Sequence, residues 1–129
     1  MKQILIEKYL APHEITPLDG EYWCDNSGYY HSFMGQPAMV YYSFDNLVSI
    51  QCWAKNGSIH RDKDLPAKIY YKNGKAIEKV WYKKGVKHRN GDKPAQIAYD
   101  ENGKMLYEKY YKNGTEVKFI ELKITIGKL

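Results

Sequence analysis

The sequence has no long apolar run. None of its hydrophobic stretches approaches the roughly 20 residues an α-helix needs to cross a bilayer, which argues against a helical membrane protein and against a membrane partner. Cysteine is scarce. Two in 129 residues, Cys24 and Cys52, are too few for a disulfide framework. The opening stretch MKQILIEKYLAPHE lacks the apolar core and small-residue cleavage site of a secretory signal. The expected setting is therefore a reducing cytoplasm with both cysteines as free thiols. No Gly-rich phosphate loop, Ser/His/Asp ordering or paired-carboxylate pattern is present, so no reaction, cofactor or metal is expected. The chain is read as non-catalytic.

Aromatic residues are abundant instead. Thirteen Tyr, three Trp and three Phe make 15% of the chain, a composition that favours strands. Hydrophobic residues are 43% and charged residues 27%, values of an ordinary globular domain. The length sets one domain, residues 1–129. Net charge is +5, unevenly placed. Residues 1–50 hold 2 basic and 6 acidic side chains; residues 51–129 hold 18 and 9. The positive part favours encounter with an acidic partner.

An internal repeat organises the chain. W-A-K-N-G-S-I-H-R begins at Trp53, W-Y-K-K-G-V-K-H-R at Trp81, 28 residues later, and Y-Y-K-N-G-T-E-V-K at Tyr110, 29 residues further on. W-C-D-N-S-G-Y-Y-H-S at Trp23 is a weaker first copy. Pro-Ala pairs follow at Pro37-Ala38, Pro66-Ala67 and Pro94-Ala95. A fixed period in this range indicates stacked supersecondary units.

The units read as β-hairpins. Asn-Gly favours a type I′ turn, which needs positive φ at both central residues. It occurs at Asn56-Gly57, Asn73-Gly74, Asn102-Gly103 and Asn113-Gly114, with Lys84-Gly85 in the equivalent place. Alternation puts Ala38, Val40, Tyr42, then Ala67, Ile69, Tyr71, then Ala95, Ile97, Tyr99 in one inward column. Trp23, Trp53, Trp81 and Tyr110 are expected to form a second, aromatic stack. The prediction is an all-β fold of tandem antiparallel hairpins forming an elongated twisted sheet. Residues 1–22 form an N-terminal cap, with a strand over Lys2–Tyr9 and a turn near Pro12–Thr16. Residues 23–116 form the repeats and 117–129 a C-terminal cap strand.

The tandem W/Y-Y-K-N-G, H-R-x-x-D-x-P-A-x-I-x-Y and N-G-K units resemble variant MORN (membrane occupation and recognition nexus) repeats, such as occur in bacterial antitoxin-like proteins and in phage and giant-virus proteins. The resemblance spans Trp23–Lys118. It implies a sheet of successive hairpins. It also implies a role in protein contact, scaffolding or neutralising a partner, in a bacterial or host cytoplasm.

Two sets of residues are candidates. His60-Arg61 and His88-Arg89 are each followed by an acid, Asp64 and Asp92. The structural expectation is that Arg and Asp pair across the loop before Pro-Ala while His holds the turn. The alternative is a phosphate-binding or acid–base face. The second set interleaves Tyr with Lys: Tyr70, Lys72, Tyr82, Lys83, Lys84, Tyr111 and Lys112. Tyr41, Tyr70, Tyr82 and Tyr111 are expected to point out. Such a face suits an acidic protein partner or, alternatively, single-stranded nucleic acid; snorkelling Lys stems over a half-buried Tyr ladder is the structural counterpart. Acidic and basic halves with open strand edges also invite self-association.

Overall fold

A computed structural model describes residues 3–9 and 18–118, with side chains for 20–118. Its regular structure is all β, with no helix among the described residues, hence none long and apolar enough to cross a membrane. The strands are β1 Gln3–Tyr9, β2 Leu18–Cys24, β3 Met39–Tyr42, β4 Val48–Cys52, β5 Ala54–Lys55, β6 Ser58–Ile59, β7 Lys68–Lys72, β8 Lys75–Val80, β9 Tyr82–Lys83, β10 Val86–Lys87, β11 Gln96–Tyr99, β12 Met105–Lys112 and β13 Thr115–Val117. Nine form one antiparallel sheet in the order β1-β2-β3-β4-β7-β8-β11-β12-β13. The β5–β6 and β9–β10 pairs form separate small hairpins. The strand expected over Lys2–Tyr9 is β1. The turn near Pro12–Thr16 and the cap beyond Lys118 lie outside the described residues.

Turn chemistry sets the chain reversals. Asn56-Gly57, Asn73-Gly74, Lys84-Gly85 and Asn113-Gly114 all have positive φ at both residues, as a type I′ turn demands. Asn102-Gly103 does not follow suit: only Gly103 is left-handed. The Asp100 carboxylate accepts the N–H groups of Asn102 and Lys104, both at 2.9 Å. This side-chain turn keeps Asn102 out of the left-handed region, and the pairing shifts register at Ala98/Tyr99.

The core is thin and lies on both faces of the sheet. Ala38, Ala67 and Ala95 are fully buried, and Val40 and Ile69 are buried on the same side. Cys24, Cys52 and Val80 are also buried. Register places Cys52, Lys68 and Val80 across from one another, on the face opposite Ile69. One inward column is therefore too simple a description. Each alanine ties two neighbouring segments together. Ala67 donates to the Val80 carbonyl at 2.9 Å and accepts from the Trp53 N–H at 2.8 Å; Ala95 does the same with Lys109 and Trp81. A methyl is the largest side chain such a closed position tolerates without overpacking. Both cysteines are free.

Successive hairpins are joined by backbone bonds. The turn glycine of each donates to the segment before it: Gly57 to Tyr30, which bridges Cys24, Gly85 to Ile59 of β6 and Gly114 to Lys87 of β10, at 2.8–2.9 Å. Trp53 and Trp81 are buried, but the expected aromatic stack is not what covers them. The Arg61 guanidinium lies 3.7 Å from the Trp53 ring centroid, and Arg89 lies 3.9 Å from that of Trp81. A planar cation lies well on an indole face and leaves its N–H fork free for carbonyls.

Candidate binding site

The loops between β6 and β7 and between β10 and β11 carry the first candidate set. His60 Nδ1 accepts the backbone N–H of Lys84 at 3.1 Å. That bond requires a bare Nδ1, so the proton sits on Nε2, which donates to Asp62 Oδ1 at 2.8 Å. His88 repeats the arrangement, accepting from the Asn113 N–H at 3.0 Å and donating to Asn90 Oδ1 at 2.8 Å. Both ring nitrogens of both histidines are thus occupied. The His60 bond holds the Asp62 carboxyl below the usual carboxylate range.

The arginines pair differently from the sequence expectation. Arg89 does not reach for Asp92 within its own loop. Its Nε and Nη2 grip Asp64 of the preceding unit at 2.9 and 3.3 Å, and Lys93 Nζ joins at 3.1 Å. The Arg89 bond holds Asp64 low, burial opposes it, and Lys93 assists. Arg61 has no carboxylate partner among the described residues; it stacks on Trp53 and donates to the Pro66 carbonyl at 3.0 Å. Asp64 and Asp92 are sequence equivalents, but strand offset brings Asp64 against the next unit's loop. The Trp81 indole donates to the Asp64 carbonyl at 3.1 Å, and Trp53 donates to Gly35 at 2.9 Å, fixing the same offset twice.

Two adjoining clefts open beside these loops. One, of about 380 Å³, includes Lys55, Arg61, Asp62 and Lys63 in its lining. The other, of about 490 Å³, adds Asp64, Lys83, Arg89 and Lys93. Together they present six cations and two carboxylates, and both carboxylates are already paired, Asp62 with His60 and Asp64 with Arg89 and Lys93. The lining keeps a net positive charge, and its exposed cations are Lys55, Lys63, Lys83 and Lys93.

The Tyr/Lys set does not gather into one exposed patch. Tyr41, Tyr70, Tyr82 and Tyr111 are half-buried rather than pointing freely into solvent. Lys68 Nζ lies 5.0 Å from the Tyr70 ring centroid and Lys87 Nζ 4.9 Å from that of Tyr111. Burial pushes the Tyr82 hydroxyl up, with Lys68 opposing. Lys72 pairs with Glu101 at 3.2 Å. The Lys112 ammonium donates to the Arg89 and Gly91 carbonyls. Lys83 and Lys84 remain exposed, and Lys83 lines the second cleft. The sequence reading missed Lys55, Lys63 and Lys93 as cleft cations, and Asp62 and Asn90 as histidine partners. The last two had a signal: both stand two residues after a repeat histidine.

Among the described residues no group of three or more His, Cys, Asp or Glu is placed to hold a metal ion. Burial raises the Cys52 thiol, with Lys68 opposing, so it stays protonated and unreactive. Comparison with protein-family models, with curated proteins and with solved structures returns no match to this chain.

Proposed function

We propose that this chain is a non-catalytic protein-binding module, of the kind used by inhibitors and antitoxin-like accessory proteins, that occupies an acidic partner surface. The observation that carries the reading is the pair of basic clefts, in which six cations face two carboxylates, one hydrogen-bonded to His60 and the other paired with Arg89 and Lys93. The histidines support it. Catalytic use of His60 or His88 would break a bond that joins one hairpin to the next.

Nucleic acid is the competing ligand for a basic surface. Base stacking needs open aromatic faces, and the Tyr70 and Tyr111 rings already carry lysine ammonium groups. That favours the protein reading. Residence in the cytoplasm of a bacterium, or of a host in the viral case, belongs to the same proposal.

The experiment is quantitative capture from host lysate with the wild type, a Lys55→Glu/Lys63→Glu/Lys83→Glu triple variant and a Lys72→Glu control. The bound protein is expected to fall at least fivefold for the triple variant and to change little for the control. Equal capture by all three would refute the placement. A gel shift of a single-stranded oligonucleotide that survives at physiological salt would transfer the site to nucleic acid.

A further inference from the structure

The first unit departs from the next two at one position. Arg61 and Arg89 each lie on their own unit's tryptophan and donate Nη1 to the carbonyl before the unit's alanine, Pro66 at 3.0 Å and Pro94 at 2.9 Å. Counting back from the Pro-Ala pair, the equivalent residue in the first unit is Ser32. Its hydroxyl is used elsewhere, accepting the Ala54 N–H at 3.0 Å. The next position changes as well: Phe33 stands where the other units have Asp62 and Asn90.

The consequence falls on the Trp23 indole. Among the described residues no cation lies over Trp23, whereas Trp53 and Trp81 each carry one. Trp53 and Trp81 are 6% and 7% exposed, while Trp23 is only half-buried. A cleft of about 270 Å³ remains, lined by Trp23, Phe33, Pro37, Val40, Tyr42 and Val48 among others. An acid stands beside it. Glu21 stands directly across from Val40 in the β2–β3 ladder and is hydrogen-bonded to Tyr42, a bond that, after burial, raises the Tyr42 hydroxyl.

We infer that this cleft is a binding site for an arginine side chain presented by a partner protein. The molecule twice shows the complex that it leaves unfilled here. A guanidinium from outside would lie on Trp23, donate to the Pro37 carbonyl as Arg61 and Arg89 donate to theirs, and meet the charge of Glu21 at the cleft's edge. Arginine fits where lysine does not, because only a planar fork stacks on an indole and bonds a carbonyl at the same time. The site shares no residue with the basic clefts, so this inference and the proposed function stand or fall separately.

The test is an NMR titration of the full chain with Nα-acetyl-arginine amide, following the three tryptophan indole N–H resonances. The Trp23 resonance is expected to shift saturably at millimolar ligand while those of Trp53 and Trp81 stay put. The lysine amide should bind at least fivefold more weakly, and the norleucine amide should give no saturable shift. Ser32→Arg supplies the guanidinium from the chain itself and should abolish the titration. Glu21→Gln, which leaves the cleft lining intact, should weaken it at least threefold. Equal shifts of all three indoles, equal binding of norleucine amide, or undiminished titration of folded Ser32→Arg would each overturn the assignment.

Discussion

His60 and Lys84 sit 24 residues apart, and the imidazole Nδ1 of the first accepts the backbone N–H of the second at 3.1 Å. His88 and Asn113 stand in the same relation at 3.0 Å, and His31 and Asn56 at 3.3 Å. In each case a histidine of one hairpin satisfies the turn of the next. The repeat histidines are therefore joints between units.

Removing two joints should loosen the stack without touching the basic clefts' cations. The His60→Ala/His88→Ala double variant is expected to lose about 2 kcal/mol, near 1 kcal/mol for each hydrogen bond, in urea denaturation. Partner affinity per folded molecule should fall far less than for the triple lysine variant. Wild-type stability with lost binding would reassign the histidines to the ligand.

The two arginines should differ. Arg89 combines a stack on Trp81, a bond to Pro94 and a forked grip on Asp64, whereas Arg61 has the stack and the carbonyl alone. Arg89→Ala is expected to cost about 2 kcal/mol and Arg61→Ala about 1 kcal/mol less, since charge-assisted bonds are the stronger ones. The gap should narrow at high salt, as a partly exposed ion pair is screened. Equal costs at low salt would deny the Asp64 contact its role.

Asp64 makes part of the stability depend on acid. Its carboxyl is held below the ordinary value in the folded state, chiefly by Arg89. A depressed folded value means the contribution is present above the unfolded aspartate range, about pH 4, and is lost as pH falls through the folded value. With the side chain 43% exposed, solvent screening keeps this to about 0.5 kcal/mol. Asp64→Asn should flatten the acid limb of the stability–pH curve below pH 4. An unchanged limb would place the acid sensitivity elsewhere.

Lys84 occupies a left-handed position, φ 50°, that asparagine holds in three sister turns at 50–51°. A lysine pays a steric penalty there that asparagine largely avoids. Lys84→Asn is expected to stabilise the fold by about 0.5 kcal/mol, read as a higher urea midpoint with an unchanged slope. A lower midpoint would show that the exposed lysine stem contributes packing.

Much of the fold is legible in the sequence. Alternation along Ala67–Lys72 and its sister segments announced strands, and four of the five expected type I′ turns formed as read. The fifth, Asn102-Gly103, was diverted by the Asp100 side chain, a competitor that a dipeptide signal does not weigh. The Arg/Asp and His signatures lie in the loops after β6 and β10, and the arginines find partners other than those expected. Their partners were assigned within one loop because sequence proximity was the only available distance.

What the sequence by itself determined is local: strands, turns and fully buried alanines, all properties of φ/ψ preference and a two-residue period. What only the tertiary structure decided is the offset between neighbouring hairpins. That offset takes Arg89 to Asp64 instead of Asp92 and sets a guanidinium on each of two tryptophans, while among the described residues the third carries none. It arises from long-range backbone bonds such as Gly85 to Ile59, and a periodicity repeats identically whatever the slide between successive units.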